Sequence, residues 1–160
     1  MIRIITGPIN SGKTTRLIDE YRKCGKGDGF ASLKLMNDGQ VEGFDIMRLS
    51  TGKRIPFARK NPDGDWTECC SYGPYSFSAG AVEYINETTG KLVAEKGTVI
   101  FIDEIGSLEL ADRCLNDALV KVLSSGCDAV LTVRDINLKD VINKYGLGDS
   151  VVIETGERYV

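Results

Sequence analysis

Apolar residues follow two patterns along the chain. Short continuous apolar runs predict strands that are buried on both faces, and they lie at Ile2–Thr6, Phe30–Met36, Thr98–Ile102, Asp128–Val133 and Ser150–Glu154. Other segments have an apolar residue every three or four positions, as on one face of a helix. These are Ser11–Cys24, Ser78–Glu95, Leu110–Ser124 and Leu138–Tyr145. Alternating strands and helices predict an α/β fold with a mostly parallel sheet between helices.

The stretch from about residue 37 to residue 75 breaks this alternation. It contains three short segments in which apolar and polar residues alternate: Val41–Leu49, Arg54–Lys60 and Asp65–Ser71. Turn residues separate the segments, and this combination predicts antiparallel hairpins. We therefore expect one domain over residues 1–160, with this hairpin block extending one edge of the parallel sheet.

Composition narrows the possible chemistry. The 160 residues carry a net charge of −3 and the pI is near 5.1, which argues against nucleic acid as a partner. The chain shows neither a signal peptide nor an apolar run long enough for a membrane span, so we expect a cytoplasmic protein. It has no histidine. Catalysis must therefore use carboxylates, lysine, arginine, hydroxyl groups, backbone amides or a metal bound by oxygen.

The five cysteines are an odd number and lack CxxC spacing. They predict reduced thiols, as in a cytosolic protein. Cys69 and Cys70 are neighbours in one predicted strand, so we expect their side chains to point to opposite faces.

A glycine-rich segment joins the first predicted strand to the first predicted helix. Its sequence GPINSGKT matches G-x-x-x-x-G-K-[ST], a pattern that binds nucleotide phosphates. Glycines let the backbone approach phosphate, and amide N–H groups at the helix N-terminus bind the anion. The lysine would place its charge on the β and γ phosphates. The predicted nucleotide-binding residues are Gly7, Pro8, Ile9, Asn10, Ser11, Gly12, Lys13, Thr14 and Thr15.

Two adjacent carboxylates end the buried strand in VIFIDEIGSLEL, residues 99–110. Buried acids are costly unless a cation lies beside them. In folds with this phosphate loop, a carboxylate on a neighbouring strand holds the Mg²⁺ shell, and Asp103 fits that role. The metal needs one acid, so we predict that Glu104 orients water for attack on the γ-phosphate. Alternatively, Glu104 caps the turn or pairs with a lysine. Glu109 is expected simply to begin the next helix.

The transition state needs a further cation beside Lys13. Arg134 follows a predicted strand at the sheet edge where ligands bind, although it could instead form a salt bridge with Asp135. Thr132, within that strand, could also sense the γ-phosphate, but its place in a buried strand favours packing in the core. The predicted catalytic residues are Glu104, Lys13 and Arg134, and the predicted Mg²⁺ ligands are Thr14 and Asp103.

These motifs together resemble those of a known family. GPINSGKTT, GFDIMRLSTGKRIPFAR, GPYSF, VIFIDEIGSLEL and LTVRD are similar to stretches of the small bacterial and archaeal P-loop nucleoside-triphosphatases related to the cancer-related nucleoside-triphosphatase. The usual family form has Lys and Met at Ser107 and Leu108, with the same acids. The resemblance implies a three-layer α/β/α sheet of the RecA or AAA type. It also implies Mg²⁺-dependent, slow hydrolysis of ATP, GTP and other nucleoside triphosphates.

The contacts to the base and two alternative functions are left open by the sequence. Family members carry an acid-Asn-Arg-like stretch near the base after the last strand, where this chain offers Glu157 and Arg158. A nucleotide or small-molecule kinase is an alternative, because the hairpin block is rich in Arg and Lys. A partner-regulated nucleotide switch is another, which would show an NTP-dependent partner. The preferred base and the oligomeric state are not predicted.

Overall fold

The computed structural model describes residues 1–156. Its strands are β1 (Ile2–Gly7), β2 (Asp28–Asn37), β3 (Gln40–Arg48), β4 (Arg54–Arg59), β5 (Glu68–Tyr72), β6 (Tyr75–Ser78), β7 (Val99–Ile105), β8 (Asp128–Arg134) and β9 (Val151–Glu154). Its helices are α1 (Lys13–Cys24), α2 (Ala79–Val93), α3 (Ser107–Leu110), α4 (Asn116–Ser125) and α5 (Asp135–Tyr145). None of these helices has the length and apolarity that crossing a bilayer requires.

The strands form one mixed sheet in the order β5-β6-β4-β3-β2-β7-β8-β1-β9. From β2 to β9, every neighbouring pair is parallel. From β2 outward to β5, every pair is antiparallel. The predicted α/β fold, a parallel sheet extended at one edge by hairpins, is therefore confirmed.

Helices cover both faces of the sheet because its central strands are apolar on both sides. On one face, Leu17 of α1 packs in a cluster with Ile5 and Phe101. On the other face, residues of α2, α4 and α5 pack in a larger cluster that includes Ile4 and Ile102. Consecutive strand residues thus serve opposite layers, which is why the sequence runs are continuously apolar.

Two predicted helix starts are wrong. The helix expected from Leu110 is split into α3 and α4, and the residues between them include two with left-handed backbone, Asp112 (φ 60°) and Cys114 (φ 57°). The buried Glu109 carboxylate holds this break, accepting N–H bonds from Gly106 (2.9 Å) and Leu115 (3.1 Å). The last helix begins at Asp135 instead of Leu138. Asp135 lies in the first turn, where a negative charge is favoured, and its side chain accepts the N–H of Ile136.

Strand β6 was not predicted, and a bulge in its partner β5 overturns a second expectation. The pairing shifts between Glu68 and Cys70. The Sγ atoms of Cys69 and Cys70 consequently lie 3.6 Å apart, so the prediction that they point to opposite faces is wrong. All five cysteines are free thiols, as predicted.

Candidate functional site

Four neighbouring strands, β2, β7, β8 and β1, bring their carboxyl ends to one edge of the sheet. The register of β1 and β8 sets Gly7 beside Arg134. The register of β7 and β8 sets Ile102 beside Leu131, so the acids that follow lie at the same level as Thr132. Residues that are far apart in sequence therefore meet at the start of α1.

The glycine-rich loop has the backbone that its sequence predicts. Asn10 (φ 59°) and Gly12 (φ 86°) are left-handed, and α1 begins directly after them. Gly7 is required because a Cβ there would lie 2.5 Å from the Thr155 carbonyl oxygen and 2.6 Å from Ser11 Oγ. The loop thus turns tightly and leads into the N-terminus of α1, an arrangement that suits an anion.

Lys13 lies within this loop and is 5 % exposed. Its Nζ donates a 2.7 Å hydrogen bond to the Pro8 carbonyl oxygen. Burial lowers the pKa of Lys13, and the negative charge of Glu104 works against that shift. The Lys13 ammonium group is therefore held inside the loop by its bond to a backbone carbonyl. A phosphate oxygen could replace that carbonyl as its partner.

Asp103 is 1 % exposed and is surrounded by donors. Its Oδ2 accepts from Thr14 Oγ1 (2.8 Å) and from the amide N–H of Ser32 (2.9 Å), and its Oδ1 accepts from Thr132 Oγ1 (2.5 Å). Burial raises the pKa of Asp103 to about 6, and the charge of Glu104 adds to this, while the three hydrogen bonds oppose it. A carboxylate in this setting favours a nearby cation.

The predicted Mg²⁺ ligands are thus brought together. Thr14 and Asp103 offer a hydroxyl and a carboxylate oxygen at hydrogen-bond distance, the hard oxygen ligands that Mg²⁺ prefers. Within residues 1–156, no cluster of three or more His, Cys, Asp or Glu side chains could hold a metal alone. The set fits an ion that takes its remaining ligands from water and from nucleotide phosphates.

Strand β7 bulges at its two adjacent acids. Asp103 and Glu104 together lie opposite the single residue Thr132 of β8. Glu104 has a left-handed backbone (φ 62°), an uncommon conformation for a non-glycine residue. Its amide N–H donates a 2.7 Å bond to Thr132 Oγ1. Bulges beside active sites redirect side chains, and this one buries Asp103 while leaving Glu104 exposed.

Thr132 has a role in the site beyond the core packing that the sequence favours. It is fully buried, as a core residue would be, but its hydroxyl joins both acids by accepting from the Glu104 amide and donating to Asp103. A threonine within an apolar run gives no sign of this in the sequence. Its position two residues before Arg134, near the end of a buried strand, is the one clue.

The alternatives raised for Glu104 and Arg134 do not occur in the described part of the chain. Within residues 1–156, neither Glu104 nor Arg134 forms a salt bridge, and Asp135 Oδ1 accepts from the amide of Ile136 instead of pairing with Arg134. The positive charge of Arg134 contributes to lowering the pKa of Lys13. Arg134 is therefore beside the phosphate loop with its charge available. Glu109 is 3 % exposed and has the structural role described above.

The segment after β9 also contacts the loop. Thr155 Oγ1 is 2.8 Å from Ser11 Oγ, and a Cβ on Gly156 would touch Ser11 and Pro8 at 3.3 and 3.4 Å. Glu157 and Arg158, named above as candidates near the base, lie outside the described residues.

Comparison with known proteins agrees with this geometry. A model of the family described as NTPase matches residues 3–155. The chain belongs to the NTPase family. It is 27% identical over 155 residues to nucleoside-triphosphatase THEP1 of Thermotoga sp. (strain RQ2), covering 97% of this chain and 86% of that protein. The cancer-related nucleoside-triphosphatase homolog of Mus musculus is 30% identical over 131 residues, 76% of this chain and 68% of the mouse protein.

The fold of the family is also shared. The solution structure of a human cancer-related nucleoside triphosphatase superimposes with a TM-score of 0.70 at 26% identity, over 97% of this chain and 88% of that one. The predicted P-loop NTPase fold is therefore confirmed, and so is the predicted family.

Proposed function

We propose that this NTPase-family chain hydrolyses nucleoside 5'-triphosphates to nucleoside diphosphate and phosphate with Mg²⁺, and that Glu104 positions the attacking water. Membership of the family supports the nucleoside-triphosphatase activity. The observation that carries the finer proposal is the bulge that sets two adjacent acids in different environments. Asp103 is buried and bonded to Thr14, whereas Glu104 is exposed and without a salt bridge in residues 1–156.

The roles follow from these positions. Backbone amides of the loop and Nζ of Lys13 would hold the β and γ phosphates. Thr14 and Asp103 would hold Mg²⁺, which when bound neutralises phosphate charge. The Glu104 carboxylate would accept a hydrogen bond from the water and take its proton as the water attacks. Arg134 would donate to the γ-phosphate, where charge develops.

The structure weakens the case for a kinase. A kinase of this class would use free arginines of the hairpin block around the acceptor. Arg48 is paired with Asp28 at 2.8 Å, and Arg54 and Arg59 are both paired with Asp45, at 3.0 and 2.6 Å. These guanidinium groups already have carboxylate partners, so water is the acceptor that the site favours.

Phosphate release is the test. Wild type and Glu104→Gln are incubated with Mg²⁺ and a panel of nucleoside triphosphates, with and without nucleoside monophosphates as acceptors. We expect wild type to release phosphate without an acceptor, and the variant to lose about 100-fold or more in kcat while still binding nucleotide. Equal turnover of the two proteins would exclude the role of Glu104. A phosphorylated product formed only with an acceptor would indicate a kinase, and binding without turnover would indicate a switch.

We also propose that the protein works in the cytoplasm without nucleic acid. Five free cysteines and an acidic pI of about 5.1 support this.

A further inference from the structure

Lys34 is a cation that the activity proposed above does not use. It lies on β2, the strand next to β7, but β2 pairs with β7 only as far as Phe30. Beyond that point β2 continues past the bulge in β7. The Ser32 amide is still bonded to Asp103 Oδ2 at 2.9 Å. Lys34 is two residues farther along, about 7 Å in a strand, and so extends over the edge where the phosphate loop lies.

The contact that Lys34 makes is with the loop itself. Its Nζ donates a hydrogen bond to Oδ1 of Asn10. Asn10 is one of the loop residues with a left-handed backbone. Lys13, whose Nζ donates to a backbone carbonyl of the same loop, lies three positions further along the chain. The ammonium group of Lys34 is therefore within one side-chain length of the place where a phosphate would bind.

The charge of Lys34 is not neutralised by the protein. Within residues 1–156 it has no carboxylate within 4.0 Å, whereas the hairpin arginines Arg48, Arg54 and Arg59 are all paired with acids. Its one recorded partner, the Asn10 amide, is neutral and solvent-exposed. Ammonium groups bind phosphate oxygens more strongly than amide oxygens, because the acceptor is then charged as well.

We propose that Lys34 is a third catalytic cation for the γ-phosphate, in addition to Lys13 and Arg134, acting from the β2 side of the site while Arg134 acts from the β8 side. This rests on the proposed hydrolysis. When nucleotide binds, Nζ of Lys34 exchanges the Asn10 oxygen for a γ-phosphate oxygen and stabilises the charge that develops there. Four successive strands then contribute in turn: a cation from β2, the acids from β7, a cation from β8 and the phosphate loop from β1.

Three variants separate the charge of Lys34 from its bond to the loop. Lys34→Gln keeps an N–H donor that can reach Asn10 but removes the charge, Lys34→Arg keeps the charge, and Lys34→Ala removes both. The control is Lys96→Gln, on an exposed lysine in the turn between α2 and β7. We expect Lys34→Gln and Lys34→Ala to lower kcat about 10- to 100-fold, with Lys34→Arg recovering most of the rate and Lys96→Gln equal to wild type.

A second readout does not depend on turnover. Nucleoside diphosphate with Mg²⁺ and aluminium fluoride imitates the γ-phosphate in the transition state, and nucleoside diphosphate alone does not. We expect Lys34→Gln to bind the aluminium fluoride complex about 10-fold more weakly than wild type, and the diphosphate alone equally well. A lysine that only fastens the loop would weaken neither complex in the Gln variant.

The outcomes separate this inference from the proposed function. If wild type hydrolyses nucleotide and Lys34→Gln does so at the same rate, the role of Lys34 is wrong and the hydrolysis stands. If wild type releases no phosphate, the proposed function is wrong. Selective loss of aluminium fluoride binding in Lys34→Gln would even then place Lys34 at the γ-phosphate, and unchanged binding would remove it from there.

Discussion

The parallel half of the sheet (β1, β7, β8, β9 and the start of β2) and the hairpin block (β3 to β6) distribute their polar residues differently. In β7 every residue from Val99 to Asp103 is buried, and in β8 so is every residue from Ala129 to Val133. In β3 only Gly43 and Ile46 are buried and the other residues are partly or fully exposed, and Asp45 in the middle of the strand pairs with two arginines. Strands buried on both faces leave the strand ends as the place for charge, which concentrates the chemistry there.

The comparison shows that the same kind of irregularity serves different purposes in the two regions. Register shifts occur in β7 and also in β3 and β5. The shift in β7 sets two acids against the hydroxyl of Thr132 at the site. The shift in β5 brings two thiols together on the outer strand of the hairpin block. A bulge becomes functional when it lies where neighbouring parallel strands end together.

The largest effect is expected from one substitution made in each region. Gly7→Ala would place Cβ 2.5 Å from the Thr155 carbonyl oxygen, and Gly43→Ala would place it 2.1 Å from that of Ala58. Both should lower the free energy of unfolding by about 3 kcal/mol. Because the displaced loop would no longer present its amides to phosphate, Gly7→Ala should also weaken nucleotide binding. Isothermal titration calorimetry on the folded proteins should show that Gly43→Ala binds nucleotide with the affinity of wild type.

The control for both is Gly148→Ala, where no heavy atom lies within 4 Å of the new Cβ. It should change the free energy of unfolding by no more than about 0.5 kcal/mol. Loss of nucleotide affinity in Gly43→Ala would contradict the view that the hairpin block stands apart from phosphate binding.

The next effect concerns pH. Burial raises the pKa of Glu109 to about 7, from 4.5, so between these values the folded protein binds more protons than the unfolded chain. The free energy of unfolding must then fall as pH rises through this window, by about 3 kcal/mol from this group. Glu109→Gln should lack that fall in urea titrations from pH 4.5 to 7.5. The control is Glu42→Gln, on β3 of the hairpin block, whose free energy of unfolding should change with pH as in wild type. If the curve for Glu109→Gln also runs parallel to the wild-type curve, Glu109 is not the group responsible.

The smallest effect is a difference in stability between substitutions of two buried threonines in the parallel half of the sheet. Thr132→Val leaves the Glu104 amide without its partner and removes one of the three hydrogen bonds to Asp103, which should cost about 2 kcal/mol of stability and lower kcat. Thr6→Val removes a buried hydroxyl that has no hydrogen-bond partner in the described residues, so it should be neutral or stabilising. Thermal unfolding and phosphate release measure both. Equal effects of the two substitutions would mean that Thr132 only fills space.

Much of this could be predicted from the sequence. The central strands follow from continuous apolar runs such as Val99–Ile102, because both faces are covered. The phosphate loop follows from its glycines and Lys13, and Asp103 follows from its place at the end of a buried strand. In each case one local pattern determines the structure.

What could not be predicted depends on contacts between distant residues. The left-handed backbone of Glu104 follows from pairing with β8, 28 residues away at Thr132. The break between α3 and α4 depends on the Glu109 carboxylate accepting from one amide before it and one after it, Gly106 and Leu115, which a helical apolar pattern cannot reveal. The position of Lys34 over the loop depends on where β7 stops pairing with β2. An exposed lysine in a strand is otherwise typical of a solvent-facing residue.

The place of β1 in the sheet has a consequence for the newly made chain. Residues 2–7 lie between β8 and β9, and Ile2 pairs with Ala129. Thr155, which contacts Ser11 of the phosphate loop, is synthesised 144 residues after it. Contacts over such sequence separations form late and slowly. A nascent chain therefore lacks the complete surroundings of the phosphate loop until Thr155 has been made, so nucleotide is expected to stabilise the fold only after that point.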